Sequence, residues 1–119
     1  MSTFIKKKLS GSTDGRGIKV VQTGTLGTTI HTAVSGTADN NFDEIWLFAY
    51  NSHTGAVVLT IEFGGVSVPD DNVVLTLTSK SGLLLVVPGL ILQNGCVVTA
   101  FADIGNVVVI TGFVNNIAA

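Results

Sequence analysis

Apolar residues in this chain recur at every second position, in short β-branched runs broken by glycine, asparagine and aspartate. That period belongs to a strand, because a helix would need its apolar residues three and four apart. Helical periodicity is almost absent, so the chain is confined to an all-β fold. The clearest strand is Asp43 to Asn51, where Ile45, Leu47 and Ala49 alternate with Trp46, Phe48 and Tyr50. Both sets are apolar, which predicts a strand covered on both faces. Ala56 to Phe63 and Asn72 to Thr78 alternate in the same way. With Gly17 to Thr23, Thr28 to Val34, Leu83 to Val87, Val97 to Ala102 and Val107 to Val114, this makes about eight strands at near-regular spacing.

The punctuation between the runs is turn chemistry. Ser52-His53-Thr54-Gly55-Ala56 predicts a hairpin with Gly55 at positive φ, and Asn94-Gly95 predicts another. Gly24 to Gly27 and Gly105-Asn106 read as turns, and Pro88-Gly89 as the stop of the Leu83 run. Short antiparallel strands with such turns predict a β-sandwich or barrel, with a jelly roll preferred. Residues 1–15 read as an extended N-terminal arm, 16–119 as a single sandwich domain, and Asn115 to Ala119 as a short tail.

Charge then bears on what such a sandwich does. Only 12% of the 119 residues are charged while 46% are hydrophobic, against roughly 25% charged in an ordinary soluble domain. A dispersed monomer needs charge on its surface, so part of this surface is expected to be covered by other protein. The scarcity is concentrated from Asp43 to Phe63 and from Leu83 to Val114. The formal net charge of −2 supplies no basic field for nucleic acid. No apolar run approaches the roughly 18 residues of a membrane helix, and the lysine-bearing start does not read as a secretory signal. Cys96 is the only cysteine and reads as a small buried strand residue, with a reactive or intermolecular thiol as the alternative.

Catalytic and metal chemistry is sparse. Lys6-Lys7-Lys8 holds half of the six basic residues and reads either as a solvated arm or as an arm docking on an acidic or neighbouring subunit. Three lysines neutralise too few phosphates for strong nucleic-acid binding. Asp14-Gly15-Arg16-Gly17 reads as a turn and matches no phosphate or dinucleotide loop. The acids at Asp39, Asp43, Glu44, Asp70 and Asp71 lack the glycine and terminal glutamate of a calcium loop. His31 and His53 stand without the soft ligands of a zinc site or the nucleophile elbow of a hydrolase, and both read as structural or solvent-facing. A hydrolase would need paired acid–base residues that no spacing here displays. Trp46, Phe48 and Tyr50 form a row on one strand face. They read as core or subunit contact, and alternatively as a platform that stacks on sugar rings.

The opening Phe4-Ile5-Lys6-Lys7-Lys8-Leu9-Ser10-Gly11-Ser12-Thr13-Asp14-Gly15-Arg16-Gly17-Ile18 resembles the start of small structural proteins encoded among the head genes of tailed bacteriophages. Asp43-Glu44-Ile45-Trp46-Leu47, Thr60-Ile61-Glu62-Phe63-Gly64-Gly65 and the closing Gly112-Phe113-Val114-Asn115 are similar too. The resemblance implies a sandwich that decorates or cements a capsid, often as trimers at local symmetry points. It implies no catalytic residue and no cofactor. The expected partners are further copies of the chain, as a homotrimer or other homo-oligomer, and the major capsid protein or another virion protein, with no specific nucleic acid and no membrane. The expected location is the capsid surface after synthesis in the host cytoplasm. Lys6, Lys7, Lys8, Arg16, Trp46, Phe48 and Tyr50 are the expected partner-binding residues. The alternative is a carbohydrate- or receptor-binding module of a phage neck, tail or spike, with Trp46, Tyr50 and His53 as its platform.

Overall fold

The structure, a computed structural model, describes residues 3–118. Met1 and Ser2 of the expected arm, and Ala119 of the expected tail, lie outside the described residues. The elements in chain order are β1 (Thr3–Lys8), β2 (Ile18–Val20), β3 (Thr28–Thr32), β4 (Asn41–Asn51), β5 (Val57–Phe63), β6 (Asn72–Leu77), β7 (Leu84–Leu92), β8 (Val97–Ala102) and β9 (Val108–Ala118). No helix occurs among the described residues.

The strands form two antiparallel sheets, β1-β9-β4-β7 and β3-β8-β5-β6, with β2 also on β9. β4 occupies one flank of β9 along its whole length, so β1 and β2 share the other flank end to end. The nine strands therefore fill eight positions, four facing four. Of the consecutive strands, only β5 and β6 are hydrogen-bonded neighbours; every connection from β2 onward other than theirs passes from one sheet to the other. That is the strand order of a jelly roll.

The core lies between the sheets. Ile45, Leu47 and Ala49 of β4, with Val108, Ile110 and Val114 of β9, face Val57, Leu59 and Ile61 of β5 and Val98, Ala100 and Ala102 of β8; all are fully buried. Alternation aims these residues inward because successive side chains on a strand point to opposite faces.

Three expectations are corrected. The segments Ser52 to Ala56 and Asn94-Gly95 are not hairpins, because each links strands of different sheets. Asn94 and Gly95 do adopt φ of 58° and 65°, as the dipeptide predicts, whereas Gly55 is not at positive φ. A dipeptide sets local dihedrals, but the partner of the next strand is set by burial on the far side of the core. Second, β7 runs through Pro88-Gly89 rather than stopping there. It is an edge strand, where a missing N–H is tolerated, and its register on β4 shifts twice along this stretch.

Third, the expected arm is bound to the body over its described residues. Thr3–Lys8 pairs with β9 from Thr3↔Ala118 to Lys8↔Phe113. Its residues are exposed because nothing covers this edge. The next residue, Leu9, is only 1% exposed and belongs to the core, and Gly11 N–H donates to the Ile30 carbonyl at 2.9 Å. Leu9→Ala is expected to cost about 3 kcal/mol, the typical penalty for a buried leucine. Urea denaturation measures it; a loss below about 1 kcal/mol would return this segment to a dispensable arm.

Candidate functional site

Register decides which side chains share the outer face of the first sheet, because residues directly opposite on paired strands project to the same side. The rows are Phe4–Ile117–Phe42, Lys6–Asn115–Glu44–Ile91, Lys8–Phe113–Trp46–Pro88 and Thr111–Phe48–Leu85, with Lys19–Val109–Tyr50 at the β2 end. Trp46, Phe48 and Tyr50 thus do share a face, and it points away from the core. The expectation that both faces of β4 are covered holds for the inner set alone. Within one copy the aromatic side is only half-buried, by its own neighbours, and Tyr50 is exposed.

At the centre of this face the groups are held in place. Trp46 stacks on Phe113 with ring centroids 6.3 Å apart and an interplanar angle of 14°. Trp46 Nε1–H donates to Glu44 Oε1 at 2.7 Å, and Asn115 Nδ2 donates to the same oxygen at 3.0 Å. These two bonds favour the carboxylate and hold the Glu44 pKa below its ordinary value against a slight upward push from burial. Lys6 Nζ stands 4.2 Å from the centroid of the Phe113 ring, a cation–π contact. Gly89, at φ 82°, lets the chain pass under the indole, since a Cβ there would come within 3.0 Å of Trp46 Cζ2. Exposed Leu85 and Ile91 extend the apolar surface across β7.

The other expected partner residues are placed apart from this centre. Lys7 alternates with Lys6 and Lys8 and faces the inter-sheet side, where it lines a cleft of about 520 Å³ with Lys8, Ser10, His31 and Asp43. Arg16 sits exposed in the turn between β1 and β2, where Asp14 and Gly15 adopt φ of 58° and 82°. Ser12 Oγ donates to its carbonyl at 2.6 Å. His53 lies in the loop beyond the end of β4, its N–H donating to Asn51 Oδ1 at 2.9 Å.

Two buried polar centres went unnoticed in the sequence. His31 Nε2 lies 2.8 Å from Asp43 Oδ2. Ser10 N–H donates to His31 Nδ1 at 3.0 Å, so Nδ1 is the unprotonated nitrogen and Nε2–H the donor to Asp43. Val34 N–H and Asn116 Nδ2 complete the carboxylate shell at 3.1 and 2.9 Å. The serine offers His31 its amide while its Oγ accepts from Thr32 N–H at 2.7 Å. The trio therefore lacks the hydroxyl-to-imidazole bond of a hydrolytic triad. It ties the segment after β1 to β3, β4 and β9.

Glu62, on the outer side of β5, is 1% exposed beneath the loop before β3. Its carboxylate accepts from the Thr25 hydroxyl, from Gly27 N–H at 2.9 Å and from Thr99 Oγ1 at 2.7 Å. Burial pushes its pKa up, but the bonds from Thr25, Thr99 and Gly27 outweigh that push and leave it below the ordinary value. Among the described residues no group of three His, Cys, Asp or Glu side chains could hold a metal ion, and no helix is long and apolar enough to cross a membrane. Comparison with protein-family models, with curated proteins and with solved structures finds no match.

Proposed function

We propose that this chain is a structural virion protein that binds and stabilises the capsid of a tailed phage, acting by multivalent protein contacts and without catalysis. The observation that carries the reading is the outer face of the first sheet, where an aromatic row, Leu85 and Ile91 lie uncovered on a chain with only 12% charged residues. A face of this make-up suits contact with other protein, whose aromatic anchors contribute most of the contact energy. Further copies of the chain and a capsid protein are the proposed partners, and repeated weak contacts would reinforce one another by raising effective concentration. The assignment to a phage head draws on the resemblance of the opening and closing segments.

One observation favours a second reading, a glycan- or receptor-binding module: the Trp46 ring lies beside the hydrogen-bonding groups of Glu44 and Asn115. Co-sedimentation of the purified chain with head particles lacking it separates the two. Saturable binding to particles, weakened at least about tenfold by Trp46→Ala with the fold intact, is expected for a contact anchor. Absence of binding to particles, with oligosaccharide binding lost in the same variant, would replace the first reading by the second.

A further inference from the structure

We infer that the outer face of the first sheet closes on the same face of a second copy, about a two-fold axis running along β9, with Lys6 of each copy set against Glu44 of the other. This rests on the reading of that face as a protein contact and names its occupant.

The inference follows from where charge lies on the face. β1 and β4 are the two flanks of β9. The lysine-bearing strand is on one flank, and Glu44, the one carboxylate on the outer rows, is on the other. A two-fold axis lying in the contact plane along β9 exchanges the flanks and preserves height along the strands. β1 of one copy then covers β4 of the other, row for row. Phe4 meets Phe42, Lys6 meets Glu44, and Lys8 meets the ring of Trp46, each contact made twice by symmetry.

The other in-plane two-fold, across the strands, lays β1 on β1. It sets Lys6 and Lys8 of the two copies against one another, and like charges brought face to face repel. Of these two axes, the one along β9 is self-complementary. Lys6 also stands over Phe113 on β9, on the face that the partner covers.

The opposed area is three strands wide, because β1, β9 and β4 of one copy meet β4, β9 and β1 of the other while β7 overhangs. β4 and β9 are 11 residues long, or about 37 Å, and three strands span about 14 Å, giving on the order of 500 Å². Stable interfaces bury about 800 Å² per partner, so this is the size of a weak, reversible contact. Face-to-face sheets pack with their strands nearly aligned, which keeps the rows in step close to the axis.

Sedimentation of the full chain across the micromolar range tests this, with Trp46, the only tryptophan, as a fluorescence reporter of the contact. The expected result is a reversible dimer. Lys6→Glu alone and Glu44→Lys alone are each expected to weaken it at least about tenfold, and the two together to restore it to within about threefold. Thermal melts establish that each variant is folded, and Lys6→Glu, on an exposed strand, carries the test where Glu44→Lys disturbs Trp46. A wild-type monomer, a trimer, or failure of the double exchange to restore association would overturn the inference. A monomer that still binds head particles would leave the proposed function standing, whereas one that binds neither itself nor particles removes both.

Discussion

Asp43→Ala is expected to destabilise the fold by about 3–5 kcal/mol, the cost of leaving three buried donors without the carboxylate that accepts from them. Asp43 is 4% exposed, and its two oxygens serve three donors. They are His31 Nε2–H, Val34 N–H and Asn116 Nδ2–H. Truncation leaves all three buried without an acceptor, and each such loss costs on the order of 1–3 kcal/mol where water cannot substitute. The 520 Å³ cleft beside the pair admits some water, which holds the total near the lower sum. A domain of this size has roughly 5–15 kcal/mol in all, so a fall in Tm on the order of 15 °C is expected. Calorimetry of the variant beside Asp43→Asn checks it. Asparagine keeps an acceptor for His31 and Val34 but turns a second amide toward Asn116, so an intermediate loss is expected. A change within about 1 kcal/mol for the alanine variant would mean that the pair is solvated rather than structural.

Most of the strand pattern was legible in the sequence because it rests on local rules. The alternation of β4 separates Ile45, Leu47 and Ala49, all fully buried, from the aromatic row without ambiguity. The positive φ of Asn94 and Gly95 was legible for the same reason. Sheet membership was not. In this strand order nearly every turn crosses the core, and the dipeptides that make two-residue hairpins serve equally well in a crossing. The β1 strand read as an arm because an edge strand with no cover shows no burial period, and its lysines suit an exposed edge as well as a free tail. Leu9, an apolar residue directly after the lysines, was the signal that the segment returns to the core. Of the expected contact residues, Lys6 and Trp46 are drawn together by a ring they share, Phe113, which lies more than sixty residues from Trp46 and whose position follows only from the pairing of β9. The burial of Asp43 and Glu62 has no local signal because the groups that hold them come from other strands and loops, 37 residues away in the case of Thr25 and Thr99 with Glu62.

Glu62→Gln is expected to lower stability by about 2 kcal/mol at neutral pH, because bonds to a charged acceptor exceed those to a neutral one by a comparable amount. Three properties of the site combine: near-complete burial, two hydroxyl donors and one backbone N–H. The pH dependence follows from the depressed pKa. In the unfolded chain Glu62 titrates near the ordinary value of 4.5, and in the folded chain below it. Between those two values the unfolded state binds more protons, so stability falls as pH falls. The contribution is complete above the unfolded value and is lost as pH drops through the folded one. Once protonated, glutamate resembles glutamine in charge and shape. The gap between wild type and Glu62→Gln is therefore expected to be constant above about pH 5.5, one unit above the unfolded pKa, and to close progressively in more acid solution. Denaturation midpoints of both proteins at a series of pH values measure the gap directly. A gap that stays constant into strong acid would show that the amide disrupts the fit of the loop at Thr25 and Gly27, and that the charge contributes nothing. Glu44 titrates in the same direction, but both proteins retain it, so subtraction removes its share and leaves the Glu62 term alone.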